Sequence, residues 1–509
     1  MFSFKRNADL RGELIAIDAE FDLPFDIKRI FYIKNMDKFE RGFHAHRKCQ
    51  QILVPIQGSF MLKLDNGKNV TEYNLNDPTQ GVLIPLYNWL VMSNFSENCI
   101  VMVICSYKFD EAEYIRDYDT FIKEVNDDKP KQISNFSLKE QTALVKRKVL
   151  NKVEDIIDDT AFVMGKDVFE FEEKFKAYNN CNHCIAVSNG CSALKIAVNS
   201  LQLKKPKVLV QANTYVAVPL VCEELKIPYE IIDIDDNLLL DLDKLEKYLD
   251  QNNNIEPVIW CENKFEYIVV VVHLYGNSVD MDKLQVIKDK YNLKIIEDAA
   301  QAHGSTYNNK KLGTFGDLGC FSFYPSKNLG AFGEGGAIVT NNAKYENFCR
   351  HYRNYGSIER YKWDIIGANE RIHNIQGGIL SIKLDYLDEW NNKRINLASL
   401  YYQNIKRQNK ITMVTPIQKC ISNIHLFVIK VENRDELKEY LESNNIGCAV
   451  HYPKPFYDSK AYNHIPSSHC TTMEKCKNNL LSLPMYPELS ETDVLFICKK
   501  INEYYDNLF

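Results

Sequence analysis

Residues 297–342 read EDAAQAHGSTYNNKKLGTFGDLGCFSFYPSKNLGAFGEGGAIVTNN. The stretch is entered through LKIIEDA, an apolar run of the kind expected for a strand buried on both faces of a parallel sheet. Asp298 stands at the end of that strand, where the carboxyl ends of parallel strands form a ligand crevice. Lys327 lies in CFSFYPSKNLGAFGEGGA, a short strand followed by a glycine-rich loop, and Ser322 lies five residues before the lysine. VLVQA and YIVVVVHLYG have the same buried-strand character, and helical segments alternate with them. An α/β architecture is expected for this part of the chain.

Upstream, VSNGCSALKIAV reads as a strand, a tight turn and a helix. Gly190, Cys191 and Ser192 fall at the helix N-terminus, a ready anion site. Each feature has a plain structural alternative. An aspartate ending a strand can cap a helix, a lysine before a glycine loop can be solvated, and Gly-Cys-Ser can be only a cap. Together they match what pyridoxal phosphate needs. It takes a lysine for a Schiff base, a carboxylate beside the pyridine nitrogen, and hydroxyl and N–H ligands for the phosphate.

Residues 297–342 resemble the cofactor region of the DegT/DnrJ/StrS-type sugar aminotransferases. FVMGKDVFEFEEKFKAY, VSNGCSALKIAV, ANTYVAV, GANERIHNIQGGIL and VHYPKPFY extend the resemblance from about residue 137 to the end. It implies a fold-type-I α/β transferase with a small C-terminal α+β subdomain, which aminates a keto sugar carried on a nucleotide. It also implies roles. Lys327 forms the Schiff base and shuttles a proton, Asp298 pairs with the pyridinium, and Gln301 contacts the ring hydroxyl. Tyr215 stacks on the ring, and Ser322, Ser192 and the Cys191 N–H hold the phosphate. Cys191 stands where threonine is usual. Dimers of this family share their sites, so the resemblance directs Asn369 to the phosphate in a partner subunit. Relatives that act as dehydratases carry histidine in place of the lysine; Lys327 favours transamination.

Ahead of this part the pattern differs. Residues 10–125 consist of short β-branched and aromatic runs, among them IKRIFYI, QILVPI, FMLKL and CIVMVICSY. Turn signals at Asp65-Asn66-Gly67 and Asn76-Asp77-Pro78 separate them, as in an antiparallel sandwich or barrel. NDDKPKQISNF is a polar, proline-containing linker, and SLKEQTALVKRKVLNKVEDII has helical periodicity. Two domains are expected, at residues 1–130 and 137–509.

His44 and His46 form an H-x-H pair, so on a strand both imidazoles face one side. That suits metal binding or proton transfer; two surface histidines on a polar strand face are the plain alternative. A metal-binding barrel would add a glutamate and a third histidine. Gln50 and Gln51 occupy the glutamate region, and LIPLYNWLVMSNF has no histidine. Two ligands do not make a transition-metal site, so no metal is expected. DLRGELIAIDAEFDLPFDIKRIFYI, RGFHAHRKCQQILV and SYKFDEAEYIRDYDTFIKEV resemble the cupin nucleotide-sugar 3,4-ketoisomerases, which implies a jelly-roll barrel that moves a ketone from C4 to C3 of a dTDP-linked 6-deoxyhexose. By that resemblance His44 and His46 are the acid/base pair, and Tyr32 and Arg41 orient the sugar or steady the enediolate. Trp89 matches a Trp-His pair of many relatives, and Leu90 stands where they carry the histidine.

The implied whole is a fusion that isomerises dTDP-4-keto-6-deoxyglucose and aminates C3 from glutamate, as a homodimer. Two rivals are a cupin that only binds sugar and a transferase that acts at another keto position. The 509 residues, 45% hydrophobic and 26% charged with net charge −6, suit two or three ordinary domains. They do not suit a basic nucleic-acid surface. The sequence has no apolar run of bilayer length and begins without a signal core, so a cytoplasmic location with reduced cysteines is expected. Cys181 and Cys184 in CNHC have metal-type spacing but no second pair.

Overall fold

The computed structural model describes residues 2–18, 23–34, 39–126, 132–253, 265–406 and 410–506. The chain divides into two compact units, Met1–Lys131 and Gln132–Phe509. Residues 127–131 of the expected linker lie outside the described residues. The second unit takes up chain ahead of residue 137: Ile133 N–H donates to Asn445 O at 2.9 Å, and Gly447 N–H donates to Ile133 O at 2.7 Å.

The first unit is a jelly-roll sandwich of two five-stranded antiparallel sheets. One sheet runs Phe2–Ser3, Gln80–Ile84, Gln51–Gln57, Ile100–Cys105, Arg29–Ile33. The other runs Tyr114–Ile115, Arg41–His46, Trp89–Ser93, Phe60–Asp65, Val70–Leu75. Side chains alternate between faces. Val101, Val103 and Cys105 enter the core between the sheets with Leu53, Leu62 and Met92. Met102 and Ile104 join Ile52, Val54 and Phe4 on the outer face. The expected turn after Leu75 is closed by Asp77, whose carbonyl accepts Gln80 N–H at 3.0 Å and whose carboxylate accepts Thr79 N–H at 2.9 Å.

Alternation breaks beside the histidines. His44 pairs with Leu90, yet Gly42 pairs with Val91 and Arg41 with Met92, so Phe43 is an extra residue. Gly42 has φ 105° and Phe43 has φ 52°. A Cβ on Gly42 would stand 2.6 Å from Leu90 O, so the close approach requires glycine. Such a bulge bends the strand and re-aims the side chains beside it. Here it brings Arg41, opposite the inward-facing Met92, onto the same face as His44.

The second unit is built on a seven-stranded sheet in the order His183–Val187, Gly336–Thr340, Leu318–Ser322, Lys294–Asp298, Glu266–Val272, Pro206–Gln211, Tyr229–Ile232. The last five are mutually parallel, as their apolar runs predict. Gly336–Thr340 runs antiparallel to both its neighbours. Val269, Val270 and Val271 are each at most 1% exposed, and burying such side chains contributes about 1.5–3 kcal/mol each. Helices such as Gly190–Ser200 and Met281–Tyr291 cover the sheet. A smaller α+β subdomain completes the unit: antiparallel strands Ile411–Met413, Phe427–Val431 and Leu480–Leu483 share a core with helices Arg434–Ser443 and Glu491–Asp506. No helix among the described residues is long and apolar enough to cross a membrane.

The described cysteines are all free. Cys184 is buried on its strand, and burial pushes the Cys181 thiol up to about 11. Burial likewise raises the Cys184 thiol well above its ordinary value.

Candidate active site

In the second unit the strand ends converge on a cavity of about 870 Å³. Asp298 closes its strand beside Val272 and Cys320 and is 8% exposed. Its carboxylate accepts the Ala300 N–H at 3.1 Å. Burial raises its pKa above the ordinary carboxylate value, opposed by Lys327. Lys327 lines the same cavity; burial pushes its ammonium down to about 8 against the pull of Asp298.

The loop that carries Lys327 is held from several sides. Lys327 N–H donates to Tyr324 O at 2.8 Å. The Asn328 amide donates to Asn391 Oδ1 at 2.8 Å and to Asn423 O at 3.1 Å, while its oxygen meets His425 Nδ1 at 2.9 Å. Lys383, buried in helix Asn374–Leu384, donates to Gly330 O at 2.5 Å. The lysine amine is therefore presented by a rigid turn, as precise chemistry requires.

The anion cradle depends on Gly190. A Cβ there would stand 2.8 Å from the Ser322 Cβ, so only glycine lets the helix Gly190–Ser200 press its N-terminus against the strand end bearing Ser322. The first N–H groups of a helix have no intrahelical partner. Cys191 and Ser322 both line the cavity. Ser192 does not take the place expected of it. Its N–H is capped by Asn189 Oδ1 at 2.9 Å, and its hydroxyl donates to Glu370 Oε2 at 2.5 Å beside Ser188. A carboxylate acceptor holds the hydroxyl more strongly than a neutral one would.

Tyr215, 59% exposed, opens onto the cavity with its ring 5.8 Å from that of Tyr452. Gln301 accepts Tyr275 N–H at 2.7 Å and donates to Tyr452 Oη at 3.2 Å, which fixes its amide beside Asp298. Asn369 is exposed and its oxygen accepts Arg371 Nε–H at 2.9 Å; the cavity of its own chain does not include it. Sequence patterns did not single out His425, His451 and Glu334, which also line the cavity. His451 sits in VHYPKPFY and Glu334 in the glycine-rich loop after Lys327, so their signals were in hand; His425 lies outside the motifs.

An amine, a buried carboxylate, a serine hydroxyl and a helix N-terminus line one cavity, and this donor set fits pyridoxal phosphate. Lys327, Asp298, Ser322 and the Cys191 N–H would hold it.

In the first unit the two histidines face inward. His44 Nε2 lies 3.1 Å from His46 Nε2, and His44 Nδ1 lies 2.9 Å from Gly42 O. Tyr114 packs on both rings at 5.2 and 4.3 Å between centroids. Burial pushes His44 down to about 4 and lowers His46 as well. Glu113, which no motif marked, stands 2.5 Å from His46 Nδ1. Cys49 joins them with its ligand-type atom within 4.8 Å, but both Glu113 oxygens are engaged by His46 and two backbone N–H groups.

Tyr32 is a correction. It pairs with the outward Met102 and is 66% exposed, so the period-two alternation of its strand turns it away from the histidines. Leu90 faces His44 across the strand pair and is buried in the core. Trp89 packs against Tyr118 and Phe121.

Comparison with known proteins matches a family to each of the two units. The DegT/DnrJ/EryC1/StrS aminotransferase family model matches residues 144–502. A second model, FdtA (WxcM-like, C-terminal), matches residues 1–126. The dTDP-3-amino-3,6-dideoxy-α-D-galactopyranose transaminase of Aneurinibacillus thermoaerophilus is 36% identical over 351 residues, 69% of this chain and 93% of that protein. Among solved structures, S. venezuelae DesV in complex with a ketimine intermediate superposes with TM-score 0.68 at 30% identity, covering 73% of this chain and 98% of its own. NtdA from Bacillus subtilis with bound cofactor PMP gives TM-score 0.63 at 26% identity, covering 70% and 82%. The chain therefore belongs to the DegT/DnrJ/EryC1/StrS aminotransferase family, with pyridoxal phosphate as its cofactor and an FdtA-type cupin unit preceding the aminotransferase in the sequence.

Proposed function

We propose that the chain is bifunctional. Its cupin unit moves the ketone of dTDP-4-keto-6-deoxyglucose from C4 to C3. Its aminotransferase unit then aminates C3, with glutamate as donor, to give a dTDP-3-amino-3,6-dideoxyhexose. The observation that carries this is the inward histidine pair, with Nε2 atoms 3.1 Å apart, in the same chain as a sugar aminotransferase. The name of the A. thermoaerophilus relative supports C3 as the aminated position.

Ketone migration needs a proton taken from C3 and one returned to C4 through an enediol. Histidine suits that work near neutral pH. Burial keeps both imidazoles uncharged enough to accept a proton, and Arg41 shares their face, where its guanidinium would steady the enediolate. Tyr32, on the outer face of its strand, points away from the histidines of its own chain.

Bound pyridoxal phosphate supplies an electron sink for the carbon that exchanges its amino group. The chain does the rest. Lys327 holds the cofactor and moves a proton at that carbon. Asp298 keeps a proton on the pyridine nitrogen, Ser322 and the Cys191 N–H bind the phosphate, Gln301 meets the ring hydroxyl, and Tyr215 covers the ring.

Incubation with dTDP-4-keto-6-deoxyglucose and glutamate, followed by NMR of the product, tests the whole. An amine at C3 is expected. An amine at C4, or no turnover by an enzyme that aminates supplied 3-keto sugar, would refute the isomerase.

Asp298→Asn is expected to retain the cofactor yet transaminate about 10²-fold more slowly, the scale on which a proton-holding group contributes. Were Asp298 only a cap, the change would cost about 1 kcal/mol of stability and little rate. Turnover measured beside the melting temperature separates the two.

The proposal includes a homodimer with shared sites, supported by Asn369 lying exposed outside its own cavity. Lys327→Ala chains mixed with Asn369→Ala chains should form hybrids that regain one intact site and part of the activity. Hybrids as inactive as both parents would remove the shared site.

A further inference from the structure

Glu113 is 2% exposed. Its Oε1 lies 2.5 Å from His46 Nδ1, and its Oε2 accepts the N–H groups of Lys48 and Cys49 at 3.2 and 3.3 Å. A single file of contacts continues from there, His46 Nε2 to His44 Nε2 at 3.1 Å and His44 Nδ1 to Gly42 O at 2.9 Å.

Valence assigns the hydrogens. A carbonyl only accepts, so His44 Nδ1 carries a hydrogen. A neutral His44 then has a bare Nε2, and the hydrogen of the next contact belongs to His46 Nε2. The last contact, between His46 Nδ1 and Glu113, needs a third hydrogen. Two neutral imidazoles bring two, so the third is a proton held by the Glu113–His46 unit. Holding it removes the net charge of a buried carboxylate, which would otherwise be costly.

The alternative puts the extra proton on His44. Burial pushes His44 down to about 4; the Gly42 carbonyl and Glu113 oppose it, and His46 and Arg116 act with it. At His46 the Glu113 carboxylate opposes burial, Arg116 and Arg29. Tyr114, packed on both rings, is kept protonated by burial. The proton therefore stays beside the carboxylate.

We propose that Glu113 is the positioning residue of the histidine pair: it holds a proton against His46 Nδ1, so that His46 turns an N–H, and His44 a lone pair, toward one point. Two like imidazoles become one donor and one acceptor before the sugar arrives. That is the state an isomerase needs, since it must both give and take protons. The chemistry of this role rests on the isomerase function proposed above; the hydrogen-bond file does not.

Two measurements test it on the full chain. In ¹⁵N-histidine NMR at neutral pH, with His44→Asn and His46→Asn used for assignment, His44 Nε2 should be bare and His46 Nε2 should carry a hydrogen. A bare Nε2 on His46 overturns the proposal. Glu113→Gln, whose amide can donate to His46 Nδ1 while its oxygen keeps the two backbone N–H groups, should keep most of the kcat for ketone migration. In Glu113→Leu nothing offers a hydrogen to His46 Nδ1, and kcat should fall more than about tenfold. KM and the transamination of supplied 3-keto sugar should be unchanged; an unchanged kcat in Glu113→Leu overturns the role. If wild-type protein moved no ketone, the isomerase function would fall, and the NMR pattern would still decide the role of Glu113.

Discussion

Replacing Lys327 with alanine should leave a chain that no longer shows the visible absorbance of a lysine-bound cofactor and that has no detectable transamination. Among the described residues, the cavity is lined by no other lysine, so nothing stands ready to replace the amine. The amine must also be neutral to join the cofactor's aldehyde. Burial lowers its pKa to about 8, whereas an ordinary lysine is charged until about pH 10. In cofactor-free protein the rate of reloading should therefore rise with pH and level off above about 8. A plateau reached only near pH 10 would show the amine to be solvated. Turnover by Lys327→Ala at the wild-type rate would remove the assignment altogether.

The second large effect belongs to the cupin unit. His44→Asn and His46→Asn should each slow ketone migration ~10²–10⁴-fold, the range for a positioned acid or base. Amination of a supplied 3-keto sugar should be untouched, because the two sites lie in separately packed units. A loss of less than about threefold in both variants would sink these roles, because it falls far below that range. The pH profile adds a sign. The pKa of His44 is lowered to about 4, so its neutral form persists as pH falls from 8 to 5, and the base-dependent rate should hold through that window. A free histidine would lose its neutral form near 6.5. EDTA should leave the rate unchanged, since both Glu113 oxygens are already engaged within the protein.

Much of this was legible in the chain itself. The valine run of Glu266–Val272 reads as a doubly buried strand because no polar residue interrupts it. Lys327 and Asp298 are found because a strand end and a glycine loop are local signals. The H-x-H pair is found because strand side chains alternate. The two-unit organisation shows in the change from short alternating runs to strand–helix alternation. Tyr32 was misplaced because a resemblance assigns a residue to a site without stating which face of its strand it occupies. Ser192 was misplaced because the chain does not announce that Glu370, far away in sequence, will claim its hydroxyl.

Local order along the chain is enough for the two fold classes, which rest on period, composition and neighbours within a few residues. Lys327, Asp298 and the histidine pair stand out in it, but their roles came from the family resemblances. Which residues surround them is settled only on folding. Arg41 shares the histidine face because one bulge at Phe43 shifts the register. Glu113 reaches His46 across 67 positions because Tyr114 pairs with His46 when the sandwich closes. Asn391, Asn423 and Lys383 fix the Lys327 loop from helices and loops that meet it only in the folded unit. Strand register and long-range hydrogen bonds are settled by closure of the whole core, and no local pattern in the chain carries them.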